Sequence, residues 1–309
     1  MKALYNNNIS KNEFLFKKND VSVYVKREDL LHEHVSGNKF RKLKYNLFEA
    51  KKQHKKIILT FGGAFSNHIT ATAYAGKYFG IQTIGVIRGD ELANDLEQTL
   101  KNNASLRFAS KQGMKFHFIS RAEYRNKTNL KFIEELKEIF GDFYLVPEGG
   151  TNELAIKGCQ EILTDKDDKF DYICCAIGTG GTISGIINSA KKNQKIVGFP
   201  ALKGNFIQKE IEKHTNSCNN WEIINNYHFG GFAKIKPNLI SYINRIKEDY
   251  NLLLDPIYTG KMMYGINDLI EKSYFKKETN ILAIHTGGLQ GINAMNSKLE
   301  KKGLELIKK

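Results

Sequence analysis

The chain has 309 residues, and its 47 Lys and Arg exceed its 33 Asp and Glu to give a formal net charge of +14. Hydrophobic residues make up 41% and charged residues 26%, which is typical of a globular protein with a sizeable core. No segment approaches the ~20 apolar residues of a membrane-spanning helix, and the polar start lacks the apolar centre of a secretion signal. We therefore expect a cytoplasmic protein that does not act in the membrane.

Much of the positive charge falls in the first 60 residues. No known nucleic-acid motif accompanies it, so a basic pocket for an anionic ligand explains the local excess better, and we expect no nucleic-acid partner. The four cysteines show no Cys-x-x-Cys spacing, which favours buried free thiols and predicts no structural metal. These cysteines are Cys159, Cys174, Cys175 and Cys218.

Short apolar runs alternate with longer amphipathic ones, and glycines mark many of the helix ends, which predicts a parallel α/β fold. In the first part of the chain, strands are predicted at 57–61, 81–87, 115–119 and 143–146, and helices up to Gly80, at 96–112 and at 130–140. Further strands are predicted at 171–177, 195–199 and 281–285. Further helices are predicted at 153–163, from Thr182, at 205–214, 239–250 and 261–272, and in the C-terminal segment. Because no flexible linker interrupts this pattern, we expect two lobes packed around one cleft.

The turn Ser36-Gly37-Asn38 places Lys39 at the start of a predicted helix. The apolar residues of that helix are Phe40, Leu43, Leu47 and Ala50, and its other side is predicted to be exposed and basic, with Arg41, Lys42 and Lys44. If its neighbours desolvate Lys39 or crowd it with like charge, its amine becomes a nucleophile that can form a Schiff base with a carbonyl group. The alternative is an ordinary helix start with a solvated basic face.

A second motif, Gly178-Thr179-Gly180-Gly181-Thr182, lies between an apolar strand and a helix. Its glycines let backbone N–H groups converge, its threonines add hydroxyl donors, and the helix start adds partial positive charge, so it predicts a phosphate site. It is not a dinucleotide fingerprint, because Ile183 occupies the place of the last glycine. A tight turn without a ligand is the alternative.

Three further turns carry polar side chains at the start of a helix. In the turn from Gly62 to His68, Ser66 or Asn67 is either a helix cap or part of a second anion site. The other two turns are Asp255-Pro256-Ile257-Tyr258-Thr259-Gly260-Lys261 and His285-Thr286-Gly287-Gly288. Taken singly, Tyr258 and His285 fit ordinary structural roles, but five such turns together predict a cleft lined from one side.

In this order the five motifs resemble those of the 1-aminocyclopropane-1-carboxylate deaminase and D-cysteine desulfhydrase family of pyridoxal-phosphate enzymes. The resemblance runs from about Val25 to Gly291. It implies a two-lobed α/β fold of the tryptophan synthase β type, with pyridoxal 5'-phosphate bound between the lobes. The smaller lobe would comprise residues 43–152, the larger lobe residues 1–42 with 153–309, and the assembly would be a homodimer.

The resemblance also implies roles for individual residues. Lys39 matches the lysine in Schiff-base linkage to the cofactor, and Lys42 matches a phosphate partner. The phosphate loop is matched by Gly178, Thr179, Gly180, Gly181 and Thr182. Asn67 matches a residue near the cofactor's ring oxygen, Ser66 a serine that is a nucleophile or binds the substrate carboxylate, and Tyr258 a substrate-facing tyrosine. Thr286 lies where a residue can meet the pyridine nitrogen.

Two residues depart from the family pattern. Thr259 replaces the glutamate that lies close to the pyridine nitrogen in the deaminases, and a hydroxyl cannot stabilise a pyridinium as a carboxylate does. Phe232 aligns with a second substrate-facing tyrosine, so its missing hydroxyl would have to be supplied by Tyr227 or by a water molecule. The first departure favours a substrate with its own leaving group.

The sequence therefore predicts a pyridoxal-phosphate-dependent lyase that deaminates a small amino acid. The favoured reaction is β-elimination from D-cysteine, which gives pyruvate, ammonia and sulfide. The alternative reaction is ring opening of 1-aminocyclopropane-1-carboxylate to 2-oxobutyrate and ammonia. A different kind of alternative is a non-catalytic protein that binds a phosphometabolite or nucleic acid.

Overall fold

The computed structural model describes residues 2–5, 10–204, 206–215 and 220–309. Its strands are β1 (Asn12–Lys18), β2 (Val21–Lys26), β3 (Ile57–Gly63), β4 (Gln82–Arg88), β5 (Lys115–Ile119), β6 (Tyr144–Val146), β7 (Tyr172–Ile177), β8 (Lys195–Pro200), β9 (Trp221–Ile223) and β10 (Asn280–Ile284). They form a six-stranded sheet in the order β1-β2-β10-β7-β8-β9 and a four-stranded sheet in the order β5-β4-β3-β6.

The α-helices are α1 (Lys2–Tyr5), α2 (Asn38–Lys52), α3 (Asn67–Phe79), α4 (Leu96–Asn102), α5 (Ala104–Lys111), α6 (Leu130–Phe140), α7 (Glu153–Gln160), α8 (Gly181–Ser189), α9 (Phe206–Glu212), α10 (Pro237–Tyr250), α11 (Thr259–Glu271) and α12 (Gly291–Glu300). Residue 205, where one predicted helix begins, lies outside the described residues. In the described ranges, no helix combines the length and the hydropathy that a membrane span requires.

The larger sheet is covered on both faces. Side chains of α10, α11 and α12 pack on one face, and side chains of α7, α8 and α9 pack on the other. Its strands are parallel except at the edge, where β1 runs antiparallel to β2. The turn between these two strands is Asn19-Asp20, and both residues have positive φ, of 49° and 62°. Asn and Asp tolerate this conformation, which two-residue hairpin turns favour, but the helix-and-strand alternation did not predict the hairpin.

The smaller sheet contains parallel strands only, and α2, α3, α5 and α6 pack against it. Its strands lie where the sequence predicted them, but the single helix predicted at 96–112 is wrong. Asn103 has extended backbone angles and ends α4, and its side chain caps α5 by accepting from Leu106 N. The same side chain donates to the carbonyl of Ala64 at 3.0 Å, so a long-range contact stabilises the break. The assignment of residues 43–152 to one lobe stays a prediction.

The predicted exposed basic face of α2 is also wrong. Arg41 is only 5% exposed, and Lys42 only 1%. Arg41 donates to both carboxylate oxygens of Glu28, from Nε at 2.8 Å and from Nη2 at 2.9 Å. The basic side of α2 is buried because α7 packs against it. The two helices are so close that a Cβ on Gly158 of α7 would lie 2.0 Å from the carbonyl oxygen of Arg41.

The described cysteines agree with the prediction of buried free thiols. Cys159, Cys174 and Cys175 are buried and form no disulfide. Burial raises the pKa of the Cys159 thiol to about 11, so this thiol stays protonated at neutral pH. Cys218 lies outside the described residues.

The contact at Gly158 makes a prediction about stability. Gly158→Ala should lower the thermal midpoint by several degrees, because overpacking of this kind costs about 1–3 kcal/mol. Gly291→Ala is the matched control, since a Cβ there would have no heavy atom within 4 Å. Thermal unfolding followed by circular dichroism should show a lower midpoint for Gly158→Ala and an unchanged or slightly higher one for Gly291→Ala. Equal midpoints for the two variants would contradict the close packing of α2 and α7.

Candidate active site

A cavity lies where turns from both sheets meet the start of α2. The turn before α2 and its first residues contribute Ser36, Asn38 and Lys39, helix α3 contributes Asn67 and Ala71, and the segment after β10 contributes Thr286, Gly288 and Gln290. His34 completes the lining. Three of the five sequence motifs therefore share one cavity. The Gly178–Thr182 turn contacts the lining residue Asn38, and Asp255 of the remaining turn lies close to the lining residue Gly288.

The position of Lys39 is set by a close approach of two backbones. Gly37 has φ of 60°, and a Cβ there would lie 2.0 Å from the carbonyl oxygen of Thr286. Asn38 N donates to this carbonyl at 3.2 Å, and Gly37 N donates to the carbonyl of Glu28 at 3.1 Å. Only glycine fits between these groups, so the turn before Lys39 is fixed against the strand end at Thr286.

The Lys39 amine is partly buried, and it donates to Asn38 Oδ1 at 3.2 Å. Asn38 in turn donates from Nδ2 to Thr182 Oγ1 at 2.9 Å, which links the lysine to the Gly178–Thr182 turn. Among the described residues, Lys39 has no carboxylate within ion-pair distance. Burial, and then the like charge of Lys42, lowers the pKa of Lys39 to about 7, so a sizeable fraction of this amine is a free base at neutral pH.

Lys42 reaches the same turn from one helical turn further along α2. Its Nζ donates to the carbonyl of Gly149 at 3.0 Å and to Thr151 Oγ1 at 2.9 Å, and it lies 3.4 Å from Thr179 Oγ1. All three acceptors are neutral, and no carboxylate of the described residues pairs with this lysine. Burial therefore lowers the pKa of Lys42. A buried ammonium without a counter-ion favours the binding of an anion.

The hydroxyls of Thr151 and Thr179, beside Lys42, leave one hydrogen free to donate to such an anion. Thr151 Oγ1 and Thr179 Oγ1 lie 2.6 Å apart, so one hydroxyl hydrogen lies between them and the other is free. Gly181 keeps the space open, because a Cβ there would lie 3.2 Å from Lys42 Nζ and 2.9 Å from Thr151 Oγ1.

The start of α3 carries three polar side chains with different partners. Ser66 caps the helix, and its Oγ accepts from His68 N at 3.2 Å and from Ile69 N at 3.4 Å. These contacts occupy its lone pairs and leave its hydrogen free to donate. Asn67 Oδ1 is buried and has no hydrogen-bond partner in the described part of the chain. A Cβ on Gly288 would lie 2.9 Å from Asn67 Nδ2, so this glycine makes room for the amide at the cavity wall.

His68 was not singled out by the sequence. Its Nε2 lies 2.8 Å from Thr60 Oγ1, which itself donates to the carbonyl of Val146 at 2.8 Å. Nε2 therefore carries the hydrogen, and the buried Nδ1 has no partner among the described residues. Burial, Lys39 and Lys42 hold the pKa of His68 well below its usual value, so the ring is neutral.

Thr259 and Thr286 differ in whether their hydroxyls are free to contact a ligand. The hydroxyl of Thr259 donates to Asp255 Oδ2 at 2.7 Å and accepts from Asp255 N at 3.0 Å, so it is committed within its own turn. Thr286 is 9% exposed and lines the cavity, and its hydroxyl is not hydrogen bonded within the described ranges. Thr286 is thus the threonine that can reach a ligand.

His285 is buried, and its Nε2 donates to the carbonyl of Leu253 at 2.6 Å, which is the structural role expected for a histidine at a strand end.

Tyr258 lies against the first glycine of the Gly178–Thr182 turn. A Cβ on Gly178 would be 3.2 Å from Tyr258 Cε1 and 3.4 Å from its hydroxyl oxygen. The ring of Phe232 lies 6.2 Å from the Tyr258 ring, at an interplanar angle of 59°. Tyr227 cannot supply the missing hydroxyl, because its own hydroxyl donates to Asp268 Oδ2 at 2.6 Å. Burial raises the pKa of Tyr258 far above the neutral range, so its phenol keeps its proton.

Comparison with known proteins gives consistent matches over most of the chain. The model of a family described as "Pyridoxal-phosphate dependent enzyme" matches residues 3–287. A Thermotoga maritima protein, provisionally named 1-aminocyclopropane-1-carboxylate deaminase, is 31% identical over 306 residues, which cover 92% of this chain and 94% of that protein.

Two further matches agree with these. The mitochondrial bifunctional D-cysteine desulfhydrase/1-aminocyclopropane-1-carboxylate deaminase of Arabidopsis thaliana is 31% identical over 298 residues, which cover 89% of this chain and 74% of that protein. A crystal structure described as an ACC deaminase homologue aligns with a TM-score of 0.81 and 26% identity, over 94% of this chain and 93% of that one.

The two lysines make a prediction about pH. In the protein without ligand, the reactivity of Lys39 should rise with a midpoint near pH 7, because its pKa is lowered to about 7. Lys42→Met should move this midpoint upward, since it removes a like charge that favours the neutral amine. Competitive acetylation at a series of pH values, read by mass spectrometry, measures the midpoint. Lys44→Met is the control, because Lys44 is paired with Glu161 at 2.6 Å. A Lys39 midpoint near the ordinary lysine value would contradict the described electrostatics.

Proposed function

The chain belongs to the family of pyridoxal-phosphate-dependent enzymes, and we propose that it is a lyase that removes ammonia from D-cysteine or a similar β-substituted amino acid. The family, the α/β fold and the cofactor predicted from the sequence are thereby confirmed. The observation that carries the proposal is the pair of neighbouring amines, Lys39 in the cavity and Lys42 beside it, without a carboxylate partner among the described residues.

The residues in and around the cavity fit pyridoxal phosphate. Lys42 and the free hydroxyl hydrogen of Thr151 or Thr179 suit the phosphate, and the lowered pKa of Lys39 suits a covalent bond to the aldehyde carbon. Asn67 has a buried oxygen that lacks a partner, and the hydroxyl of Thr286 is available. We propose that Lys39 holds the cofactor covalently, that Lys42 and residues 178–182 hold its phosphate, and that Asn67 and Thr286 contact its ring.

Bound pyridoxal phosphate supplies an electron sink that makes the Cα–H bond of the substrate acidic. In the proposed reaction the Lys39 amine takes the Cα proton, because its pKa of about 7 leaves a sizeable fraction of the amine neutral at pH 7. Tyr258 keeps its phenolic proton and can donate a hydrogen bond to the departing thiolate. Loss of the β-substituent and hydrolysis then give pyruvate, ammonia and sulfide.

Ser66 is better suited to binding than to attack. Two backbone N–H groups of α3 contact its oxygen, at 3.2 and 3.4 Å, and these contacts weaken it as a nucleophile. Its free hydrogen can donate to a carboxylate at the positive end of the helix. We therefore propose that Ser66 binds the substrate carboxylate, which supports elimination over a ring opening in which Ser66 attacks.

The aromatic ring of Phe232 supports the proposal that the substrate contains sulfur. Its ring packs beside Tyr258 and is 46% exposed, so it offers an aromatic surface without a hydroxyl near the proposed leaving group. Thiols and thioethers make favourable contacts with aromatic rings. The names of two relatives keep 1-aminocyclopropane-1-carboxylate deamination as the second candidate reaction. We also propose a cytoplasmic homodimer, by analogy with the family.

Covalent binding by Lys39 is tested by the colour of the protein. The purified protein with pyridoxal phosphate should show a visible absorption band that borohydride bleaches, and Lys39→Ala should lack this band and lose activity by several orders of magnitude. Lys44→Ala, on the same helix, should keep both. A colourless wild-type protein that takes up no pyridoxal phosphate would instead support a phosphometabolite- or nucleic-acid-binding role.

The substrate is tested separately by incubation with D-cysteine, L-cysteine, D-serine and 1-aminocyclopropane-1-carboxylate. Sulfide and pyruvate from D-cysteine are the expected products, and 2-oxobutyrate would identify the second candidate. If none reacts while the visible band is intact, both activities are wrong.

Phe232→Tyr tests the apolar wall. The added hydroxyl should favour D-serine, whose leaving group accepts a hydrogen bond, and lower the D-cysteine to D-serine ratio of kcat/KM about fivefold, as expected for a hydrogen bond worth ~1 kcal/mol. Phe206→Tyr, at an exposed position on α9, is the control. An unchanged ratio would remove Phe232 from the account of specificity.

A further inference from the structure

The turn of residues 228–234, which carries Phe232, has a strained backbone. Phe229 and Ala233 have φ of 53° and 55°, although neither is glycine, and Gly230 and Gly231 have φ of 97° and 114°. A side chain in this region costs roughly 1–2 kcal/mol per residue, so the surrounding structure must hold the turn. Such strain is often found where a protein positions groups for function.

One buried side chain holds this turn from inside. Lys261 is 2% exposed, and its Nζ donates to the carbonyls of His228 and Gly231, both at 2.8 Å. No described carboxylate lies within ion-pair distance of it. Both hydrogen-bond acceptors of Lys261 in the described part of the chain therefore belong to the strained turn. Burial lowers the pKa of Lys261 to about 8.

The turn of residues 228–234 contacts helix α11 at two places, Lys261 and Tyr264. Lys261 lies in the first turn of α11, three residues after Tyr258, which precedes that helix. Phe229 packs edge-on against Tyr264 of α11, with ring centroids 5.0 Å apart. Phe232 then lies beside Tyr258. A lysine at this position can thus set the place of Phe232 relative to Tyr258 without touching either ring.

We propose that Lys261 is a positioning residue for substrate selection, which holds the 228–234 turn so that Phe232 and Tyr258 form one wall of the substrate site. This inference rests on the proposed function, in which Tyr258 faces the substrate. It assigns Lys261 no contact with the cofactor or the reacting atoms. The chemical groups it selects for are β-substituents that fit an aromatic surface, such as a thiol.

Lys261→Met tests this role, because methionine keeps much of the volume and has no N–H donor. In the variant, hydrogen exchange of the peptide that spans residues 228–234 should rise at least tenfold, with or without cofactor. The visible band should remain. The KM for D-cysteine should rise about tenfold or more with a smaller change in kcat, and the D-cysteine to D-serine ratio of kcat/KM should fall.

A double-mutant comparison separates positioning from a general loss of stability. Phe232→Ala should reduce the D-cysteine to D-serine ratio in the wild-type background and have less than a twofold effect in Lys261→Met, because the lysine acts through this ring. Lys272→Met is the matched control at the other end of α11, where the lysine pairs with Asp268 on the surface. It should leave exchange, KM and the ratio unchanged.

Each outcome decides the proposal. Unchanged exchange in Lys261→Met, unchanged selectivity, or additive effects of Lys261→Met and Phe232→Ala would overturn it. If Lys261→Met does not fold, Lys261→Gln, which keeps N–H donors on a shorter side chain, is measured in the same way and should show smaller changes in the same direction; no change would also overturn it. A wild-type protein that is inactive with the whole substrate panel refutes the proposed function instead, and exchange alone then decides whether Lys261 holds the turn.

Discussion

Lys39 lines the cavity, Lys42 lies close enough to lower its pKa, and the described structure supplies neither amine with a carboxylate. A buried ammonium that lacks a counter-ion destabilises a protein, so the pocket favours a ligand that brings negative charge. The same burial and like charge lower the pKa of Lys39 to about 7. A single electrostatic arrangement thus favours both the binding of a phosphate and the nucleophilic form of the lysine beside it.

The position of these amines depends on glycines more than on adaptable side chains. Gly37 lets the turn before Lys39 contact the carbonyl of Thr286, Gly181 lets Lys42 reach Thr151, and Gly288 makes room for Asn67. A Cβ at any of these glycines would approach a neighbouring atom to within 2.0–3.2 Å. Because the contact at Gly37 is with the backbone of Thr286, the turn before Lys39 is held in place before any ligand arrives.

The sequence predicted what depends on local periodicity and turn chemistry. The apolar positions of α2, among them Phe40 and Leu43, are buried as expected, and the turns at Gly37 and Gly178 open helices where predicted. The prediction failed where residues distant in sequence determine whether a side chain is buried. The acceptors of Lys42 lie 107–137 residues away in sequence, so no local pattern could show that this side of α2 is buried.

Side-chain direction was equally hard to predict. Thr259 follows Tyr258 in a motif that implied a position near the cofactor ring, but its hydroxyl bonds to Asp255 within the same turn. Tyr227 was a candidate for the missing hydroxyl, but its hydroxyl bonds to Asp268, 41 residues further on. In both cases the hydroxyl donates to a carboxylate, which is a stronger acceptor than a neutral group.

Lys42 and Lys261 are two buried lysines whose hydrogen-bond acceptors differ in origin. Both are buried and neither has a carboxylate partner among the described residues, but their acceptors differ in origin. The acceptors of Lys261 belong to one strained turn, which the lysine stabilises, whereas those of Lys42 come from separate segments around space that Gly181 leaves open. In the proposed function, Lys261 therefore acts within the protein, whereas Lys42 also binds the phosphate of the cofactor. If the proposed function holds, the wall containing Phe232 can change in sequence, and with it the substrate, while the proposed cofactor pocket around Lys39 stays intact.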